Sequence, residues 1–236
     1  MHKTEVTAVQ KPPVVVFPFI ALPAAHQSAK DMADLIGGGD IAEVPRSREA
    51  ATGACYWNVE SLVARQGGSL VLGWGLEWFP GVLVRAYHHG VYATPDGELI
   101  DITAPERGSE PCTTFVRDES ISFDAAWPML VPDKFIPLIQ DRDLEDSLKW
   151  HRKNAAALVE QRDFRKTLPG LSWSIVGGWS HNPGLLNEKQ VRQDVEIGKA
   201  VDLGFHKMHE ARARFMKARS ASAPSAAEPV YFRFNR

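Results

Sequence analysis

Hydrophobic and polar positions alternate most regularly between Thr52 and Thr103. Val59, Leu62 and Val63 recur at helical spacing, which predicts a helix over Cys55 to Ala64 with Gly67-Gly68 as its stop. Leu70 to Phe79 reads as a strand, Pro80-Gly81 as a turn, and Val82 to Ala93 as a second strand. Strand alternation puts Val82, Val84, Ala86 and His88 on one face of that second strand. Leu83, Arg85, Tyr87, His89 and Val91 take the other. Pro95-Asp96-Gly97 predicts a hairpin, since proline presets φ and glycine accepts a positive one. Leu99 to Thr103 is the third strand. This segment therefore reads as a helix followed by an antiparallel meander.

The flanks are less regular. Val14 to Phe17 is β-branched and apolar, hence a short strand. Ser28 can cap a helix carrying Met32, Leu35 and Ile36, which Gly37-Gly38-Gly39 stops. Leu144, Leu148, Ala155 and Val159 predict a helix over Arg142 to Lys166, and Asn187 can cap a long one reaching Arg219. Leu168 to Leu186, rich in glycine, tryptophan and proline, reads as a loop. Met1 to Lys11 reads as a frayed terminus, Ser220 to Pro229 as a linker, and Val230 to Arg236 as a last strand or a loose tail. The division implied is an α+β core over 1–130, a mainly helical extension over 131–219, and a linker and tail over 220–236.

Composition narrows the function classes. The 236 residues carry 27 basic and 29 acidic side chains, so no global field favours nucleic acid or an anionic membrane. Two cysteines are too few for a disulfide framework, which points to free thiols and the cytoplasm. A secretory leader at Pro13 to Ala25 is the alternative: Lys3 and Lys11 precede it, but Glu5 and the strand-like run speak against it. No apolar run reaches the roughly 20 residues that span a bilayer.

Three residues of the ordered segment could do chemistry together. Cys55 falls on the first helical turn, where the helix dipole and free backbone N–H groups favour thiolate and could also hold an oxyanion. A buried small cysteine is the plain alternative. A thiolate mechanism needs an imidazole in reach, and either His88 or His89 could supply it, but not both, because they point to opposite faces. Asp101 interrupts the apolar run Ile100 to Ile102, and a buried carboxylate needs a partner. Hairpin pairings summing to 192 or 193 set Asp101 opposite Val91 or Tyr92, diagonal to His89.

Gly53-Ala54-Cys55-Tyr56, followed by a strand histidine and an acid on the next strand, resembles the papain-like cysteine enzymes. His89-Gly90-Val91-Tyr92, a turn and Asp101-Ile102-Thr103 look most like their compact transglutaminase-like and cell-wall amidase branches. The resemblance covers about residues 52 to 103. It implies an α+β fold with a papain-like core, in which a nucleophile helix packs on an antiparallel sheet. Cys55 would be the nucleophile, His89 the base (His88 the alternative) and Asp101 the orienting acid. The reaction implied is acyl transfer on the amide of a protein, a peptide or a small molecule, with no metal or organic cofactor. Arg46 to Ala51, ahead of the cysteine, lacks the glutamine such enzymes use for the oxyanion.

Competing readings are a non-catalytic binding module on the same fold and a metal-binding regulatory protein. Cys55, His88, His89, Cys112 and His181 could ligate zinc, although none is paired at Cys-x-x-Cys spacing. His206 and His209 beside Glu210 form no complete metalloprotease motif and read as a solvated face. Gly37-Gly38-Gly39-Asp40 follows a helix and makes a poor phosphate cradle. The basic stretch Lys207 to Arg219 reads as a solvated face. Trp173 and Trp179 could cover a substrate groove or anchor a core.

Overall fold

The computed structural model describes residues 14–104 and 110–222. The chain is α+β, with its sheet closed into a small barrel. Along the chain come β1 (Ile20–Ala21), α1 (Gln27–Leu35), β2 (Ile41–Ala50), α2 (Cys55–Gln66), β3 (Ser69–Phe79), β4 (Leu83–Ala93) and β5 (Leu99–Thr103). β6 (Cys112–Arg117), β7 (Lys134–Pro137), α3 (Arg142–Lys166), β8 (Leu171–Ser174), β9 (Gly178–His181) and α4 (Glu188–Ser222) follow. Strands run in the order β3-β6-β2-β5-β4, and β3 pairs again with β4 to close the ring. β1 adds to β3 and β7 adds to β4.

The meander of β3, β4 and β5 is present, with Tyr92 opposite Ile100 and Ala93 opposite Leu99, which is the 192 register. The sheet, however, is not purely antiparallel: β2 runs parallel to β5, with Arg46 level with Asp101 and an irregularity before Ala50 meets Thr103. β2, β6 and β7 form where the pattern predicted no strand. β7 lies past residue 130, in the stretch expected to be helical, yet it joins the sheet.

Alternation explains how the barrel is filled. Val44, Val71, Val91, Ala93 and Phe115, with Ala42 and Leu99 beside them, come from all five ring strands and form one apolar cluster inside it. Gly73 and Gly75 leave the room that inward rings need. A Cβ on Gly73 would stand 2.4 Å from the Phe115 ring, and one on Gly75 2.4 Å from the Tyr87 ring. Outside, Val59 and Leu62 of α2 pack on Tyr92 and Ile102. Met32 and Ala29 of α1 cover Trp74, Leu76, Val84 and Ala86. The antiparallel pair α3 and α4 sits over Phe17, Val82 and Leu83 through Leu144, Leu148 and Phe215.

Other expectations are corrected. Val14 makes only a bridge and Phe17 is no strand residue, although its ring is buried. His26 rather than Ser28 caps α1, its Nδ1 accepting from the Ser28 N–H at 3.1 Å. The expected loop after Leu168 contains the β8–β9 hairpin, which zips Trp173 against Trp179. Ser220 to Ser222 continue α4, and the leading terminus and the rest of the tail lie outside the described residues. Asn187 does cap α4, in a reciprocal box: its side chain accepts from the Gln190 N–H, and Gln190 accepts from the Asn187 N–H, each at 3.0 Å.

Candidate active site

Cys55 opens α2 and is half-buried. Ala54 at the N-cap (φ −129°, ψ 31°) makes no side-chain cap hydrogen bond, so the first N–H groups of the helix are left without that cap among the described residues. His89, Asp101, Arg46 and Thr113 share the inward parity of Val91, Leu99, Val44 and Phe115, so they form the polar layer above the apolar plug. α2 lies on the outer wall, and its first residue reaches the rim of that layer. There Cys55, His89 and Asp101 border one cavity of about 240 Å³, together with Arg46, Tyr87 and Asp133.

The three residues named from the sequence are thus brought together. His89 Nε2 stands 3.0 Å from Asp101 Oδ2, and Cys55 lines the same cavity as that ring. The Nε2 contact is short but off the ideal N–H direction, so its strength is chiefly that of an ion pair. Asp101 is 1% exposed and His89 5%. Burial disfavours the imidazolium, but its interactions with Asp101 and then Cys55 outweigh it and raise the His89 pKa to about 10. Burial likewise opposes the Asp101 carboxylate. His89, the Thr113 hydroxyl and the Thr103 N–H at 3.0 Å outweigh it and hold its pKa below the ordinary value.

His88 points outward, toward α2. Its Nδ1 lies 2.8 Å from the Tyr56 hydroxyl, which donates to the His88 carbonyl at 3.0 Å. The Trp74 ring meets its edge at 5.2 Å. Burial, reinforced by His89, outweighs the charge of Asp118 and brings the His88 pKa down to about 4. A neutral, outward imidazole is a packing partner for Tyr56. Burial, then the charges of Cys55 and Asp133, push the Tyr56 phenol well up, so it remains a donor beside the thiol. Gly90 allows this approach: a Cβ there would stand 3.1 Å from the Tyr56 ring and 2.8 Å from Leu70.

Arg46 is the residue the sequence reading passed over as a site member. It projects from β2 with its side chain 6% exposed, and its Nε is 3.7 Å from Asp101 Oδ2. The inward alternation of Ala42, Val44 and Arg46 was the available signal.

The other candidates stand elsewhere. Cys112 is a free thiol on β6, as is Cys55 on α2, and the His181 side chain is outside the described set. Among the described residues no group of three metal-ligating side chains converges. His206 and His209 do not act as a pair. His206 contacts the Asp202 carbonyl, while His209, 3% exposed rather than solvated, engages the Val15 backbone. The basic stretch of α4 is not a free face either. Arg212 is buried over the Phe17 ring, Arg214 pairs with Asp143, and Lys207 pairs with Glu210. Trp173 packs on Trp57 at 5.1 Å, and Trp179 on Trp127 at 5.9 Å with Arg165 over its ring. Both tryptophans therefore hold the hairpin against neighbouring aromatic rings, and neither lines the cavity that holds Cys55.

No described helix is long and apolar enough to cross a membrane. No family model, curated protein or solved structure matches the chain.

Proposed function

We propose that the chain is a cysteine-dependent acyl-transfer enzyme acting on an amide, by hydrolysis or deamidation first and transamidation next, in a papain-like arrangement. The observation that carries the reading is the His89 ring, 3.0 Å from Asp101 Oδ2, lining one cavity together with Cys55. The thiolate adds to the amide carbonyl, and the uncapped N–H groups opening α2 receive the oxyanion where papain-like enzymes add a glutamine. His89 gives its proton to the departing amine, leaving a thioester on Cys55 and a neutral imidazole. His89 then takes a proton from the incoming water or amine, the acyl group leaves, and thiolate and imidazolium are restored. Asp101 fixes the tautomer and steadies the imidazolium.

Iodoacetamide alkylation across pH tests this. Cys55 reacts fast under mildly acidic conditions, His89→Ala loses at least about tenfold of that rate, and His88→Ala keeps most of it. Slow alkylation of the wild type, equal to that of Cys112, leaves the non-catalytic binding module as the reading.

A further inference from the structure

We infer that Arg46 is a positioning residue of this site, a fixed cation that keeps Asp101 ionised while His89 gives up and regains its proton. The role rests on the acyl-transfer reading above. Asp101, 1% exposed, cannot lean on water for its charge. Four groups from four strands face it: the Thr103 N–H and the Thr113 hydroxyl, which donate hydrogen bonds, and His89 Nε2 at 3.0 Å and Arg46 Nε at 3.7 Å, which make ion-pair contacts. Only two of these carry charge, and the charge on His89 is mobile.

Once the thioester has formed and the amine has left with the His89 proton, the imidazole is neutral and the nucleophile is no longer an anion. At that moment a buried carboxylate with neutral neighbours would gain from taking up a proton. A protonated Asp101 could no longer stabilise the imidazolium that must form when water attacks. Arg46 removes that gain, because a guanidinium cannot be discharged near neutral pH. The parallel register of β2 on β5 sets Arg46 level with Asp101, and its Nε has no hydrogen-bond partner to draw it elsewhere. The other charged and titratable groups around the pair are Tyr87 and Arg85 on β4, Glu77 on β3, Cys55 on α2 and Asp133 ahead of β7. Arg85 is engaged by Glu77 and Asp133, at 3.6 and 2.8 Å, which leaves Arg46 as the cation beside Asp101.

A carbon-13 NMR titration of the Asp101 carboxyl tests the role without reference to turnover. R46Q is expected to raise the Asp101 midpoint by one pH unit or more, a tenfold gain in proton affinity. R46K is expected to hold it within about half a unit of the wild type, because the charge persists. A folded R46Q whose midpoint has not moved, or an R46K that rises as far as R46Q, overturns the inference. Where R46Q does not fold, R46K decides alone: a low midpoint supports the role and a rise of one unit defeats it. Iodoacetamide rates on the wild type separate the two claims. Fast alkylation with an unmoved R46Q midpoint defeats the role of Arg46 and spares the enzyme reading. Slow wild-type alkylation with a raised R46Q midpoint defeats the enzyme reading and supports Arg46 as the group that keeps Asp101 ionised.

Discussion

Stability against pH reads the His89–Asp101 pair directly, provided the thiol is taken out of the balance. In Cys55→Ala the only strong support for the His89 proton is Asp101. A group whose folded pKa lies above its ordinary 6.5 contributes stability that is fully present below pH 6.5. That contribution is lost as pH rises through the folded value. In the wild type that value is about 10, with Asp101 and Cys55 both contributing. In Cys55→Ala it falls between those limits. The free energy of unfolding therefore declines above pH 6.5 by up to about 1.4 kcal/mol per pH unit, on the order of 3 kcal/mol in all. His88, His151 and His209, whose folded values lie near 4, titrate in the unfolded state of both variants compared below, so their contribution cancels in the difference.

The comparison variant is Cys55→Ala/Asp101→Asn. At pH 6.5 it is less stable by about 3–5 kcal/mol, the usual loss when one partner of a buried pair is removed and the other is stranded. The gap narrows as pH rises, because Cys55→Ala is losing the stabilisation its partner variant never had. It does not close, since Arg46 and Thr113 still require the carboxylate. Urea unfolding at four or five pH values up to about pH 9.5 measures both curves. Parallel curves, with a constant gap, would refute the claim that Asp101 raises the proton affinity of His89.

Two further outcomes follow from neighbouring geometry. Burial lowers the pKa of His88, His151 and His209 to about 4, so each costs stability as pH falls from 6.5 through 4. Unfolding free energy should drop by up to about 4 kcal/mol per pH unit for the three together, and His209→Gln should remove one proton's share of that slope; an unchanged slope counts against its neutrality. Gly90→Val drives a side chain into Leu70 and Tyr56 and should cost about 1–3 kcal/mol by urea unfolding while slowing Cys55 alkylation. A stable, fully reactive Gly90→Val protein would show that the approach of α2 to β4 does not set the site.

Much of this arrangement was legible because it is local. The helix from Cys55, the two long strands and the Pro95-Asp96-Gly97 turn lie within 52 residues and carry their own period and punctuation. Turn chemistry alone placed Asp101 diagonal to His89. What escaped is nonlocal. Ile41–Ala50 reads poorly as a strand, because Pro45, two arginines and two glutamates interrupt it, and its partners β5 and β6 lie some 50 to 75 residues away. Thr113 to Val116 has clear β-forming chemistry, yet nothing nearby says which strand it joins. The β8–β9 hairpin was masked by the glycines and exposed apolar residues at its tip, Ile175 and Val176. His209 and Arg212 looked solvated because helix periodicity cannot show that Val15 and Phe17 will cover them.

The unforeseen strand is also what ties the site together. β2 runs straight into the turn that delivers Cys55, so one segment carries both the Arg46 partner of Asp101 and Cys55. Where β2 ends, the Ala104 N–H donates to the Ala50 carbonyl at 3.0 Å and Thr52 Oγ1 donates to the Ala104 carbonyl at 2.9 Å. Asn58 Nδ2, one turn into α2, donates to the Ala51 carbonyl at 2.8 Å. The loop from Ala51 to Ala54 is thus pinned at one end to Ala104, which follows β5, the strand of Asp101, and at the other to α2. A slip of β2 by one residue along β5 would turn Arg46 out of the barrel and carry the start of α2 with it. The parallel pairing of β2 with β5 therefore sets two distances at once, Arg46 to Asp101 and Cys55 to His89.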